Sequence, residues 1–305
     1  MSPTQPGEQP GTETLSAAVA GVRALILDAD GVLMFAGAPL PGAVEALVRL
    51  DASAVPYRVV TNFSLANRRT LAAGVSRSFG IPVDPRRLIT AASAAAAYTA
   101  RHHPGEPLLV LASADALAEW DGQQILTPEA AADAPSGVGA VVIGDAGDDL
   151  SFRNLNTAFR AIRAGAAFVA MHRNPWWVTA EGVTLDAGAL VVGLEHALER
   201  KAVVTGKPSR VVFREAADEL ADELASTGAG SRLRLGEIAM VGDDLRTDVG
   251  GAHRAGLRGI LVLSGKTDAA ALKAAERAGR LRGSSRPDAV AAGVGDVVEA
   301  LLASR

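Results

Sequence analysis

The stretch 24-ALILDADGVLM-34 sets two aspartates, Asp28 and Asp30, one residue apart at the end of an apolar run, with Gly31 directly after them. Carboxylates crowded this closely raise each other's pKa unless a cation or a shared proton relieves the repulsion, so a cation is expected beside them. Oxygen ligands of this kind suit Mg2+, which keeps several waters and is held by one or two carboxylates plus substrate phosphate. Asp243 is a candidate for the second carboxylate ligand. An aspartate next to such a cation is also a nucleophile that forms an aspartyl-phosphate and splits one displacement into two. Asp30 would protonate the leaving oxygen and then activate the hydrolytic water. Gly31 allows the turn to close around a phosphate, and the Thr61 hydroxyl and Lys207 ammonium would hold the non-reacting oxygens.

Taken singly, these segments have plainer readings. An Asp-x-Asp-Gly turn is also a loop or calcium-type segment, Thr61-Asn62 a strand end, Gly206-Lys207-Pro208 a turn with a solvated lysine, and 242-GDDLRTD-248 a capped helix start. Their order, each after a buried apolar run, favours the chemical reading.

The elements that must position these residues follow from the hydrophobic pattern. Apolar runs 24-ALIL-27, 57-YRVV-60, 202-AVV-204 and 238-IAMV-241 read as strands buried on both faces, as parallel sheets require. Helical patterns lie between them, such as 41-PGAVEALVRL-50 with Val44, Leu47 and Val48 on one face. The fold class is α/β: a Rossmann-like, mostly parallel sheet core. Ligands of such sheets bind outside the carboxyl ends of the strands, so Asp28, Thr61, Lys207 and Asp243 are expected to converge. Residues 91–195 carry their own strands, 108-LLVLA-112, 140-AVVIG-144 and 167-AFVAM-171, and a helix from Ser151 to Ala164 with Leu155, Phe159 and Ile162 on its buried face. They read as an inserted α/β cap domain in a core of residues 21–90 and 196–305. Residues 1–20, rich in proline, glycine and polar side chains at their start, read as a disordered tail.

Composition narrows the function. The 305 residues are 49% hydrophobic, enough for a real core. A formal net charge of −4 offers no basic footprint for nucleic acid. The absence of cysteine excludes disulfides, thiolate metal sites and cysteine nucleophiles. No apolar run reaches the roughly 18 residues of a membrane span, and no basic segment precedes a long apolar one at the start, so a cytoplasmic location without a membrane partner is expected.

With 28-DADGVL-33, 61-TN-62, 206-GKP-208 and 241-VGDDLRTD-248 in this order, the chain resembles the haloacid-dehalogenase superfamily over about residues 22 to 303. The insertion after the second motif resembles the class IIA, NagD-like cap. The segments 171-MHRNPWWVTAEGVTLDAGALVVGLEHAL-198 and 259-GILVLSGKT-267 resemble the phospholysine/phosphohistidine/inorganic-pyrophosphate phosphatases. The resemblance implies Asp28 as nucleophile and metal ligand, and Asp30 as acid/base with its carbonyl on the metal. It also implies Asp243 as metal ligand, Lys207 with Thr61 and Asn62 on phosphate, and Asp248, beside Asp244, as support around them. The family's threonine after the motif glycine is Val32 here, which removes a hydroxyl and no carboxylate. A homodimer through the cap is a further implication.

Substrate choice is expected from 172-HRNPWWVTAEG-182. Neighbours on an extended segment point to opposite faces, so one of Trp176 and Trp177 packs inward and the other faces the substrate, unless both are core. His172 is equally compatible with a substrate contact and a structural role. The reading is a magnesium-dependent phosphatase for small phosphorylated metabolites or phosphoramidate and pyrophosphate-type compounds. Its rivals are a phosphotransferase or phosphomutase of the same superfamily and a non-catalytic phospholigand-binding module.

Overall fold

The computed structural model describes residues 14–179, 182–226 and 232–305. The described residues form two compact units, one drawn from residues 14–57 with 223–226 and 232–305 and the other from residues 58–179 with 182–222.

In the first unit, four strands run parallel in the order Ala289–Ala291, Arg258–Val262, Ile238–Gly242, Ala24–Asp28. The strands Ala24–Asp28 and Ile238–Gly242 are buried along their whole length, which is why each reads as an unbroken apolar run rather than an alternating one. Their register pairs Leu25 with Ala239 and Leu27 with Val241, so both chains leave the sheet at the same end, at Asp28 and Asp243. Helices Ala43–Ala52 and Val294–Ala303 pack against each other in this unit. The first begins after Gly42, whose φ of 77° a glycine adopts without strain. Its buried stripe is Ala43, Ala46, Leu47 and Leu50, not the expected Val44, Leu47 and Val48; Val48 is 48% exposed. The expected tail also differs. Residues 1–13 lie outside the described residues, whereas Leu15–Val19 form a helix whose N-terminus the Thr14 hydroxyl caps and whose Ala18 and Val19 are buried.

In the second unit, a parallel pair joins Tyr57–Val60 to Leu88–Ile89 through Val59 and Val60. A parallel five-stranded sheet runs in the order Val203–Val204, Ala167–Ala170, Ala140–Ile143, Leu108–Leu111, Ile125–Leu126. The alanine-rich segment forms the helix Ala91–His102, opened by a capping box in which Thr90 and Ser93 bond each other's backbone. It covers one face of the sheet with Trp120 and Met171. The helix Phe152–Arg163, capped by Ser151, covers the other face with Val191 and Phe168. Its buried residues are Thr157, Ala158, Ala161 and Ile162. Leu155 packs at the edge, and Phe159 is half-buried under the Arg163 guanidinium rather than in the stripe expected for it. The strands Trp176–Thr179 and Gly182–Leu185 pair antiparallel as a separate hairpin.

Candidate active site

Asp28 is the last residue of its strand, and its Oδ1 accepts the Ala29 amide at 2.7 Å. Asp243 follows the neighbouring strand, and Asp248 lies five residues further, in the turn Leu245–Val249. Carboxylate oxygens of Asp28, Asp243 and Asp248 all lie within 4.8 Å of one another, and all three residues are buried. Thus the crowding that the sequence suggests between Asp28 and Asp30 is realised with different partners. Asp30 is exposed, in a turn closed by the Gly31 amide on the Met34 carbonyl at 2.8 Å.

Several backbone features shape this cluster. Gly31, at φ 77°, and Gly265 both approach the Asp243 carboxylate so closely that a Cβ on either would overlap it. A Cβ on Gly242 would overlap Asp248. Asp243 Oδ2 accepts the Lys266 amide at 2.6 Å, and Asp248 Oδ2 accepts the Asp244 amide at 3.0 Å. Asp244 points to other work. Its Oδ1 caps the next turn at the Arg246 and Thr247 amides, 2.7 and 3.1 Å away, and its Oδ2 pairs with Lys266 Nζ at 2.5 Å. Although burial pushes the Asp244 carboxyl up, the Lys266 bond and these amides hold it below the usual carboxylate range. Ser264 Oγ donates to the Gly31 carbonyl at 2.7 Å. The turn Ser264-Gly265-Lys266 therefore braces the Asp28 loop and Asp243 together. The sequence signal for this turn is its place: Ser-Gly-Lys directly follows the apolar run 259-GILVL-263, at a strand end like the other motifs.

Three buried carboxylates make an all-oxygen donor set that fits a hard divalent cation, and the glycines leave one side of Asp243 free of Cβ atoms. Asp28 and Asp243, expected as ligands, both offer an oxygen to this group. Asp248, expected as support, stands within the same group.

The other residues singled out in the sequence lie in the second unit. Thr61 and Lys207 are buried, at 4% and 5% exposure. The Asn62 side chain donates to the Lys207 carbonyl at 3.0 Å and accepts the Lys207 amide at 2.8 Å, so its amide is committed to holding the lysine's backbone. A Cβ on Gly206 would run into Asn62 and the Met171 carbonyl, which explains the glycine before Lys207. Thr61 Oγ1 accepts the Phe63 amide at 3.1 Å. His172 is 2% exposed; Ser64 Oγ lies 3.2 Å from its Nε2, and the Asn174 amide donates to its Nδ1 at 3.4 Å. Ser64 and Asp186 went unnoticed in the sequence because nothing local marks them. The two tryptophans differ in exposure: Trp176, 58% exposed, pairs across the hairpin with Leu185, and Trp177, half-buried, pairs with Thr184. Ala180 and Glu181 of that loop lie outside the described residues.

A parallel α/β sheet with buried carboxylates at the ends of adjacent strands puts an all-oxygen donor group where sheets of this class bind their ligands. Comparison with known proteins makes this specific. The family model for haloacid dehalogenase-like hydrolase matches residues 25–125, and a second, described as HAD-hydrolase-like, matches residues 204–297. The haloacid dehalogenase-like hydrolase domain-containing protein 2 of Bos taurus is 36% identical over 250 residues, covering 82% of this chain and 87% of its own. The phospholysine phosphohistidine inorganic pyrophosphate phosphatase of Xenopus laevis is 32% identical over 253 residues, covering 81% and 85%. Among solved structures, a p-nitrophenyl phosphatase from Archaeoglobus fulgidus superposes with a TM-score of 0.78 at 28% identity, covering 92% of this chain and 99% of its own. The chain belongs to the haloacid dehalogenase-like hydrolase family, and it is an enzyme of that family's phosphatase type.

Proposed function

We propose that the protein is a magnesium-dependent phosphatase that hydrolyses small phosphorylated metabolites, or phosphoramidate and pyrophosphate-type compounds, through an aspartyl-phosphate on Asp28. The observation that carries the reading is the buried Asp28, Asp243 and Asp248 group at adjacent strand ends. Bound Mg2+ would be held by Asp28, Asp243 and the backbone carbonyl of Asp30, and would neutralise charge on the phosphoryl group and on the carboxylates.

The chain's own residues then perform two displacements. An Asp28 carboxylate oxygen attacks phosphorus and the bond from phosphorus to the leaving atom breaks, oxygen in an ester or anhydride and nitrogen in a phosphoramidate, while Asp30 supplies that atom with a proton. Asp30, now ionised, takes a proton from water, whose oxygen attacks the same phosphorus and frees Asp28 as inorganic phosphate departs. The exposure of Asp30 suits a group that must exchange a proton with two different partners in turn. Lys207 and the Thr61 hydroxyl are assigned to the non-reacting phosphate oxygens by their place in the motif order, with Asn62 supporting them. We assign residues 91–195 as the cap and its tryptophan hairpin as the selector of the leaving group. Among the described residues no helix is long and apolar enough to cross a membrane.

Phosphate release from p-nitrophenyl phosphate and from pyrophosphate, with magnesium and with chelator, tests the reading. Release in magnesium alone is expected, and Asp28→Asn should lower it by several orders of magnitude. Equal release in chelator, or an active Asp28→Asn, would overturn it.

A further inference from the structure

A buried polar group in the second unit borders the two segments that carry Asn62 and Lys207. The Asn174 amide donates to His172 Nδ1, so the neutral ring carries its proton on Nε2. That nitrogen faces Ser64 Oγ at 3.2 Å and Asp186 Oδ1 at 3.6 Å. Burial holds the imidazole below its ordinary pKa against the upward pull of Asp186 and Asp145, which favours this neutral form. Ser64 and Asp186 are 5% and 7% exposed. Burying a serine, a histidine and an aspartate costs free energy that an apolar trio would not, so the arrangement calls for a reason beyond packing.

Its position supplies one. Ser64 lies two residues beyond Asn62, in a turn also held by the Phe63 carbonyl on the Ala91 amide at 3.1 Å. His172 directly follows Met171, whose carbonyl accepts the Gly206 amide at 2.8 Å. Lys207 sits where these two segments meet, with its amide and carbonyl both bonded to Asn62. On the far side, Asp186 accepts the Ala187 amide at 2.7 Å and starts the helix Ala187–Leu198. That helix cannot shift toward His172, because Gly188 already lies too close to the Arg173–Asn174 backbone to accept a Cβ.

We propose that Ser64, His172 and Asp186 form a positioning unit that fixes the backbone of Lys207, with His172 as its central residue. This rests on the reading that Lys207 binds phosphate. Without the His172 to Ser64 tie, the turn carrying Asn62 loses its link to the segment that receives Gly206, and Lys207 inherits the slack from both sides. His172 touches no substrate in this account; it acts through Asn62 and Lys207. Misplacing a binding group by about 1 Å can cost about 100-fold in rate, so losses of tenfold to 100-fold are the expected scale.

The test uses the full chain with magnesium and compares wild type with H172L, H172Q, S64A and the S64A/H172L double variant. Three quantities are read: the Kd of inorganic phosphate by calorimetry, kcat and KM on p-nitrophenyl phosphate, and Tm. H172L and S64A should each weaken phosphate binding at least tenfold, and the double variant should be no worse than H172L. H172Q, whose amide nitrogen reaches the place of Nε2, should recover most of the loss. A phosphate Kd that stays at the wild-type value while Tm falls, additive losses in the double variant, or H172Q as weak as H172L would overturn the proposal. Should H172L fail to fold, S64A alone decides, since it removes only one hydroxyl. A wild type that binds phosphate but releases none from any ester would sink the phosphatase reading and leave the positioning test intact.

Discussion

Neutralising Asp243 should stabilise the metal-free protein while abolishing its response to magnesium. Asp28, Asp243 and Asp248 present oxygens within 4.8 Å of one another. At that separation two full charges repel by about 3.5 kcal/mol at an effective dielectric of about 20. Asp243 belongs to two of the three pairs, so Asp243→Asn relieves about 7 kcal/mol before any reduction. Screening, relaxation and shared protons reduce this, and about 1–3 kcal/mol is the gain we expect. The cost is small, because the amide oxygen of the variant can still accept the Lys266 amide that Oδ2 now receives at 2.6 Å. With about 2–4 °C per kcal/mol for chains of this order, Tm in chelator should rise by several degrees. In magnesium the order reverses. A cation at 100 times its Kd adds about 2.7 kcal/mol to wild type, and the variant, lacking one ligand, should gain far less. Scanning calorimetry of both proteins in chelator and in saturating magnesium reads all four values. A variant that melts below wild type in chelator, or an equal gain from magnesium in both, would refute the reasoning.

Other consequences follow from named groups. Asp30→Asn should still form the aspartyl-phosphate from esters with good leaving groups but hydrolyse it slowly, giving a burst followed by a stalled steady state in rapid-quench kinetics. Trp176→Ala or Trp177→Ala should change relative kcat/KM among substrates and spare pyrophosphate; equal losses on every substrate with a lower Tm would mark the residue as packing. His253 donates from both ring nitrogens, Nδ1 to the Ser284 carbonyl at 2.8 Å and Nε2 to Asp288 at 2.9 Å, and the Asp288 bond holds its pKa above the usual histidine range. A raised folded-state pKa means stability that is complete below the unfolded value near 6.5 and is lost as pH rises through the folded value. The stability difference between wild type and His253→Gln, about 1 kcal/mol in favour of wild type at pH 5.5, should therefore shrink toward alkaline pH in denaturant titrations. A difference that grows with pH would contradict the doubly donating imidazolium.

Much of this architecture was legible because strands buried on both faces read as continuous apolar runs. Asp28, Thr61 and Asp243 sit where those runs end, a position periodicity can find. Helix faces were harder. In an alanine-rich chain the small residues do the close packing, so Ala43, Ala46, Ala158 and Ala161 are buried while the bulkier Val48 and Phe159 lie toward the rim. Large side chains dominate a hydrophobic pattern even where they are not the ones sealed in the core. The Ser64–His172–Asp186 group was invisible for a different reason: Ser64 and His172 are 108 residues apart, and only the tertiary fold brings them together. Asp28 does stand in a crowded acidic group, but its neighbours there are Asp243 and Asp248 rather than Asp30, because a two-residue separation says nothing of where a turn points each side chain.

The central claim is that Asp28 itself carries the phosphoryl group. Wild type mixed with radiolabelled substrate in magnesium and quenched in acid within the first turnover should retain label, and peptide mapping should place it on Asp28. The label should be lost on chase with unlabelled substrate and never form in Asp28→Asn. Label on any other residue, or full hydrolytic activity with no labelled intermediate and an active Asp28→Asn, would contradict the account.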